Sequence, residues 1–409
     1  MDTLFPGTAT SDLAGRAARA LTPNYKPAPL VLVKGDGCHV EDKDGRRYLD
    51  MVGGIAVNSL GHAHPRLVKA IAEQAAALIH VSNLYINEPA VAFAEKLVAL
   101  TFADRVFFAN SGTEANEAAL KLARRYQAEV RKAPGQSDIL AFHESFHGRS
   151  YGALSVTGQP KYHHGFEPLV PGIRFATYGD LAEVEHQMAD GKVGAIIVEP
   201  IQCEGGINVP PAGFLGGLRA LCDRHQAVLI YDEVQTGVGR TGRWFCYEHD
   251  DGVVPDVLTT AKGVGGGVPL GVMLCNEKVA PGFQPGSHAS TFGGNALATR
   301  AGLEVFRAIE EEGLLANTQA RGAELAAGLD RFVERFPAVC VARRGLGLVQ
   351  GLELVDAAHA TRVVDGSRAR GLLLNAVQGK TLRFVPPLVV SAAEIAQALA
   401  IVGQVLAEG

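Results

Sequence analysis

Two stretches decide the fold: AVLIYDEVQTGVGRTG at residues 227–242, and PDVLTTAKGVGGGVPLG at residues 255–271. Each contains an apolar run of strand length, residues 228–231 and 257–260, without the polar alternation of a half-exposed strand. Both therefore read as strands buried on two faces. Each run also leads to a residue that is costly to bury, Asp232 after the first and, thirty positions later, Lys262 after the second. Further runs of the same kind stand at 106–109, 139–142, 195–198 and 272–275, and Leu and Ala recur with helical spacing at 114–126 and 214–225. Strands alternating with helices predict an α/β protein with a mostly parallel central sheet flanked by helices.

Beyond about residue 298 the texture changes. Two long helical stretches, 298–312 and 315–336, precede short strands at 346–354 and 381–385, and Ser391 with Glu394 signals a capped last helix. A smaller α+β unit is expected there. Residues 1–57 carry a hairpin-like pattern (30–33, 38–41, 47–50), too little for a core of their own. The expected division is thus 1–57 packing with the small domain, 58–297 as the large domain, and 298–409 as the small one.

A chain of 409 residues has room for two or three cores. With 47% apolar and 20% charged residues it has the composition of an ordinary globular protein, which excludes a disordered or fibrous chain. A net charge of −5, with basic residues dispersed among acidic ones, leaves no footprint for nucleic acid or anionic lipid, so small-molecule partners are expected. The six cysteines lie far apart and suit a reducing compartment. No secretory signal pattern or membrane-length apolar run is present, and a cytoplasmic location is expected.

Three short motifs compete for the chemistry. His143, Glu144 and His147 spell the His-Glu-x-x-His pattern of zinc hydrolases, but that pattern needs both imidazoles on one helical face, and here it follows a strand-like run and meets Gly148 at once. Gly237, Gly239 and Gly242 match a dinucleotide loop, yet no helix start follows them. Gly379-Lys380-Thr381 lacks the leading glycine of a P-loop, having Leu374 in its place. No metal is expected.

The polar residues that follow the strand runs make a better site, since open α/β sheets bind ligands at the carboxyl ends of their strands. Asn110, Ser111, Gly112 and Thr113 follow one run and open a helix, an arrangement that seats an anion such as a phosphate. An ordinary helix cap, with Ser111 and Glu114 as a capping box, explains the same residues equally well. Asp232 and Lys262 stand on the same edge, where burial would lower the lysine pKa and free its amine as a nucleophile. A structural salt bridge would account for that pair alone. An anion seat, a buried carboxylate and a nucleophilic lysine together are what pyridoxal 5'-phosphate requires: a phosphate site, a partner for the pyridine nitrogen and a Schiff-base amine.

The two opening stretches, with NSGTEANE (110–117), FHGRS (146–150), VEPIQCEGG (198–206), STFGGN (290–295) and RFVPPLVV (383–390), resemble the class III (ω-amino) aminotransferases, a family of fold type I pyridoxal-phosphate enzymes. The resemblance covers almost the whole chain and is strongest to enzymes acting on acetylornithine, with those for succinylornithine and ornithine close behind. It implies Lys262 as the covalent lysine and proton shuttle, and Asp232 as partner of the ring nitrogen. Ser111, Gly112 and Thr113 would serve the phosphate, with Thr291 crossing from a partner subunit. Phe146 and Val234 would cover the two ring faces, and Gln235 would lie near the phenolic oxygen.

For substrates the resemblance implies Arg149 at the distal carboxylate, Arg383 at the glutamate α-carboxylate, and Glu204 neutralising Arg383 when an uncharged end is bound. Ser290 and Tyr25 would complete the carboxylate contacts. A plain surface salt bridge is the alternative for the charged trio. Cys203 departs from the family, standing where a glycine is usual. The expected protein is a homodimeric transaminase of arginine biosynthesis with ping-pong kinetics.

Overall fold

The computed structural model describes residues 8–250 and 252–408. In chain order the strands are β1 (Leu32–Asp36), β2 (His39–Asp42), β3 (Arg47–Asp50), β4 (Arg105–Ala109), β5 (Asp138–Phe142), β6 (Ile173–Ala176), β7 (Val193–Val198), β8 (Val228–Asp232), β9 (Val257–Thr260), β10 (Gly271–Cys275), β11 (Cys340–Leu346), β12 (Val349–Leu354), β13 (Leu372–Leu373), β14 (Asn375–Val377) and β15 (Thr381–Phe384). The central sheet has seven strands in the order β4-β10-β9-β8-β7-β5-β6. All run parallel except β10, which is antiparallel to both neighbours.

Every residue of β7, β8, β9 and β10 is buried, and the strand period of two sends alternate side chains to opposite faces. Leu229 and Tyr231 join one apolar cluster and Val228 and Ile230 the other; Ile196 and Ile197 divide in the same way. The second cluster is closed by the helix Gly112–Arg125 through Ala118, Ala119 and Leu122, and the first by helices that include Phe214–His225. The runs read from sequence are thus strands covered on both sides.

Three details differ from the expectation, each for a physical reason. The reversal of β10 follows from the short connection 261–270, since a parallel return needs a crossover of about a dozen residues or more. Strand β6 was not anticipated: it is an edge strand whose Arg174 pairs with Asp138 at 2.7 Å, a charge that breaks the apolar pattern. Strand β11 was missed for the same reason, because it is an edge strand carrying Arg343 and Arg344.

A second sheet, β11-β12-β15-β14, is antiparallel throughout and packs with the helices Leu314–Arg335 and Ala357–Ala369, which the last helix, Ala392–Ala407, covers in turn. Ser391 and Glu394 form the capping box of that last helix. The third sheet joins the chain ends: β3 pairs with β13, Leu49 opposite Leu372, and the Val385 amide donates to the Met51 carbonyl at 2.9 Å. Among the described residues no helix is long and apolar enough to cross a membrane.

Candidate active site

The carboxyl ends of the parallel strands share one edge, and the chain segments leaving them enclose a cavity of about 380 Å³. Ser111, Gly112, Thr113, Phe146, Arg149, Glu204, Asp232, Val234, Gln235 and Lys262 all line it. Residues far apart in sequence meet because β4, β5, β7, β8 and β9 each end at this edge.

At the floor, Asp232 is 4% exposed and fully engaged. Its Oδ2 accepts from Asn116 Nδ2 at 2.8 Å and faces His147 Nδ1 at 2.7 Å, and its Oδ1 accepts from the Val234 amide at 3.0 Å. Asn116 is itself fixed, donating to the His147 carbonyl at 2.7 Å and accepting from Thr259 Oγ1 at 2.6 Å. This network satisfies the buried carboxyl oxygens on all sides, which offsets the cost of taking them out of water. Lys262, placed by the end of β9, takes a left-handed φ of 44° that lysine seldom adopts. Burial lowers its pKa; Arg383 pushes the same way, and Glu204, Cys203 and Asp232 oppose. The amine is thereby nearer its nucleophilic, neutral form.

At the anion seat, Ser111 caps the helix Gly112–Arg125 by accepting from the Glu114 amide at 3.3 Å. The capping box is incomplete: the Glu114 carboxylate reaches past Ser111 to the Asn110 amide at 2.6 Å. Thr113 Oγ1 meets Ser150 Oγ at 2.6 Å and accepts from the amides of Arg149 and Ser150. Gly148 has φ 131°, and a Cβ there would come within 2.3 Å of Thr113 Oγ1, so only glycine leaves this wall in place. With the Glu114 amide taken by Ser111, the amides of Gly112 and Thr113 at the start of the helix are the donors suited to a phosphate.

At the rim, Arg383 of β15 is 1% exposed and forms an ion pair with Glu204. Gln235 bridges the two, accepting from Arg383 Nη1 at 3.0 Å and donating to Glu204 Oε1 at 3.2 Å. Burial raises the Glu204 carboxyl pKa, but Arg383 and Lys262 outweigh it and hold the group below its ordinary value. The Arg149 guanidinium is exposed and lies 3.9 Å over the Tyr162 ring.

Some expected residues are not brought to this cavity within one chain. Ser290 and Thr291 line a separate depression beside Asn110, and Tyr25 is 83% exposed. Cys203 is buried in an apolar cluster with Ile201, Ile207 and Cys246 and does not line the cavity. The zinc pattern fails outright. Glu144 has φ 63°, His143 stacks on Phe175 at 5.6 Å, and His147 is committed to Asp232, so the three share no helical face. Among the described residues no group of three or more metal-ligating side chains is assembled.

Four residues escaped the reading of the sequence: His147, Asn116, Glu199 and Tyr162. Glu199 directly follows β7 much as Asp232 ends β8, and the same signal, a charge at the close of an apolar run, could have found it. It lines the cavity and accepts from the Phe146 amide at 3.0 Å, and burial, then the charge of Asp232, pushes its pKa well above the usual carboxylate range. The only spacing that singles out His147 is the zinc-like pattern, which points to the wrong chemistry, and none points to Asn116 or Tyr162.

The profile of the family described as aminotransferase class-III matches residues 20–406. The chain belongs to the class III aminotransferases. It is 49% identical over 383 residues to an acetylornithine aminotransferase of Gloeobacter violaceus, covering 94% of both chains. Against an acetylornithine aminotransferase of Caldanaerobacter subterraneus it is 47% identical, covering 95% and 97% of the two chains. Among solved structures, the ornithine aminotransferase of Toxoplasma gondii superposes with a TM-score of 0.94 at 32% identity, covering 98% of this chain and 96% of that one. Another structure of the Toxoplasma enzyme has partial occupancy of pyridoxal phosphate at its active site. The acetylornithine aminotransferase of Elizabethkingia anophelis gives 0.88 at 30% identity, covering 98% and 100%. The fold is that of the fold type I enzymes, and pyridoxal phosphate is the cofactor of this aminotransferase. The cavity fits that group: a helix N-terminus for its phosphate, a buried, hydrogen-bonded carboxyl group for its ring nitrogen, and one lysine of lowered pKa.

Proposed function

We propose that the enzyme moves the δ-amino group of N2-acetylornithine to 2-oxoglutarate, giving N-acetylglutamate 5-semialdehyde and glutamate in arginine biosynthesis. The observation that carries this reading is the Arg383–Glu204 pair beside Lys262, with Gln235 bridging it. A glutamate α-carboxylate can take the guanidinium when Glu204 lets go. When the uncharged carbon chain of the acylated amine enters instead, Glu204 keeps Arg383 paired, so no guanidinium is left alone in a dry site.

Bound pyridoxal phosphate supplies a carbonyl carbon to carry nitrogen and a ring that accepts electrons. The chain's own residues do the rest. Lys262 Nζ takes the proton from the substrate carbon and delivers it onward. Asp232, steadied by His147 and Asn116, would be the partner of the ring nitrogen. Gly112 and Thr113 would hold the phosphate with Ser111 beside them, joined by Thr291 of the partner subunit. Phe146 and Val234 would confine the ring, Gln235 would attend its phenolic oxygen, and Arg149 would take the distal carboxylate with Ser290 and Tyr25.

A homodimer with interfacial active sites is part of the proposal, as are the division at residues 57 and 297 and a cytoplasmic location. Leu84, Tyr85 and Ile86 are 84%, 71% and 88% exposed. Flanking Asn83 and Asn87 donate to the carbonyls of Ser290, Gly293 and Gly294, which joins this apolar segment to the loop bearing Thr291. Such a cluster favours burial against a second copy.

The deciding experiment measures kcat/KM for N2-acetylornithine, N2-succinylornithine and free ornithine with 2-oxoglutarate. A preference for the acetyl donor is expected; a dominant value for either other donor overturns the assignment.

A further inference from the structure

The loop that carries Glu204 does not stand alone. It is gripped from the C-terminal sheet, which also supplies Arg383, at two points. Gln378, in the turn between β14 and β15, donates from Nε2 to the Glu204 carbonyl at 3.0 Å and to Gln159 Oε1 at 2.9 Å. Its Oε1 accepts from Lys161 Nζ at 2.9 Å. Arg344 of β11 donates to the Gly206 carbonyl from Nη2 at 3.1 Å and is anchored by Glu353 at 2.6 Å. Gln378 holds a left-handed φ of 48°, a conformation glutamine seldom takes, so the turn aims this side chain at some cost.

The Glu204 carbonyl is thus tied to the turn leading into β15, the strand that carries Arg383. With its backbone fixed, Glu204 can release Arg383 only by rotating its side chain, and the rotation leaves the loop in place. With the backbone free, the whole loop can follow the guanidinium and keep it paired.

We propose that Gln378 is a positioning residue that sets donor discrimination by pinning the Glu204 backbone, so that Arg383 can be surrendered to a substrate carboxylate. The inference rests on the acetylornithine reading for its choice of donor. It touches no cofactor contact, and Gln378 lies outside the cavity lining.

The test compares Gln378→Met, which keeps length and loses all three hydrogen bonds, with Gln378→Glu, which keeps the acceptor for Lys161 and loses the donor for Glu204. Gln378 sits half-buried in a surface turn, so both holoenzymes should fold. In both variants, KM for glutamate should rise about five- to ten-fold, the worth of a hydrogen bond or two, with kcat/KM for N2-acetylornithine within about two-fold of the parent. Hydrogen exchange of the holoenzymes should quicken at the amides of Gln202, Ile207 and Asn208, which close this loop. An equal loss for both donors, an unchanged glutamate KM, unchanged exchange, or a Gln378→Glu enzyme behaving like the parent would each overturn the proposal. Should another amine prove the preferred donor, the acetylornithine reading falls by itself, and the glutamate half-reaction, common to every donor, still decides Gln378.

Discussion

The floor and the rim of the cavity are built on opposite plans. Around Asp232 every polar group comes from the central sheet or the segments leaving it, Asn116 and His147 are buried, and three hydrogen-bonding groups converge on one carboxyl. At the rim, the charges come from separate parts of the chain: Glu204 from the loop after β7, Arg383 from β15, and Arg149 from a stretch where it is exposed and stacked on a tyrosine. A saturated buried network has one low-energy arrangement. An ion pair that spans two sheets can open, provided a substrate carboxylate replaces the partner that leaves. The difference fits a reaction whose ring chemistry is constant while its two amino donors differ in charge.

This contrast can be broken experimentally, beginning at the floor. Lys262→Ala should lower turnover by about 10⁴-fold or more and abolish the borohydride-sensitive colour of the holoenzyme; substantial residual turnover would mean the floor does not perform the chemistry. Asp232→Asn should cost about 10²- to 10³-fold in kcat, with substrate KM little changed. His147→Phe should cost less, roughly ten-fold in kcat, and about 1–3 kcal/mol of stability by urea titration, because Asp232 loses one buried partner.

The rim should respond in the ratio of donors instead of the absolute rate. Glu204→Gln should lower kcat/KM for N2-acetylornithine about ten-fold while glutamate holds or improves, because the substitution leaves Arg383 without a counter-charge unless a carboxylate arrives. If both donors fall together, the pair is structural and the contrast between floor and rim disappears.

The smallest effect concerns stability. Burial lowers the Lys262 pKa in the folded chain, so between the folded and unfolded values the unfolded chain binds more protons and stability rises with pH. The penalty is complete below the folded value. Cofactor-free Lys262→Met should therefore melt above the cofactor-free parent at pH 7, and the gap should close as pH approaches the unfolded lysine value of about 10.4.

Much of the floor is legible in the sequence alone. Runs of apolar residues that end in one charge announce both the buried strands and the edge where ligands bind, and Asp232 and Lys262 stand where that logic puts them. The edge strands β6 and β11 were not legible, because Arg174, Arg343 and Arg344 interrupt the hydrophobic pattern for the sake of ion pairs made elsewhere. His147 was hidden by a motif suggesting metal, and only the turn after β5 reveals that its ring faces Asp232. At the rim, contacts such as Arg149 on Tyr162 depend on loop paths that no periodicity encodes. The depression holding Ser290 and Thr291 is a further case, for a site proposed to be completed by a second copy leaves no local signal in one chain.

The reversed strand β10 constrains how this enzyme could evolve. The ten residues from Ala261 to Leu270 must leave the lysine, turn, and re-enter the sheet with Gly271 opposite Ala109, so close to Ser111 that an added Cβ would lie 2.2 Å from its carbonyl oxygen. An inserted or deleted residue in that return would shift Lys262, the proposed attachment point for the vitamin, against the helix N-terminus proposed to hold its phosphate. Lineages diversifying toward new amines are therefore expected to keep the length of this connection and to vary the loops that face the incoming substrate.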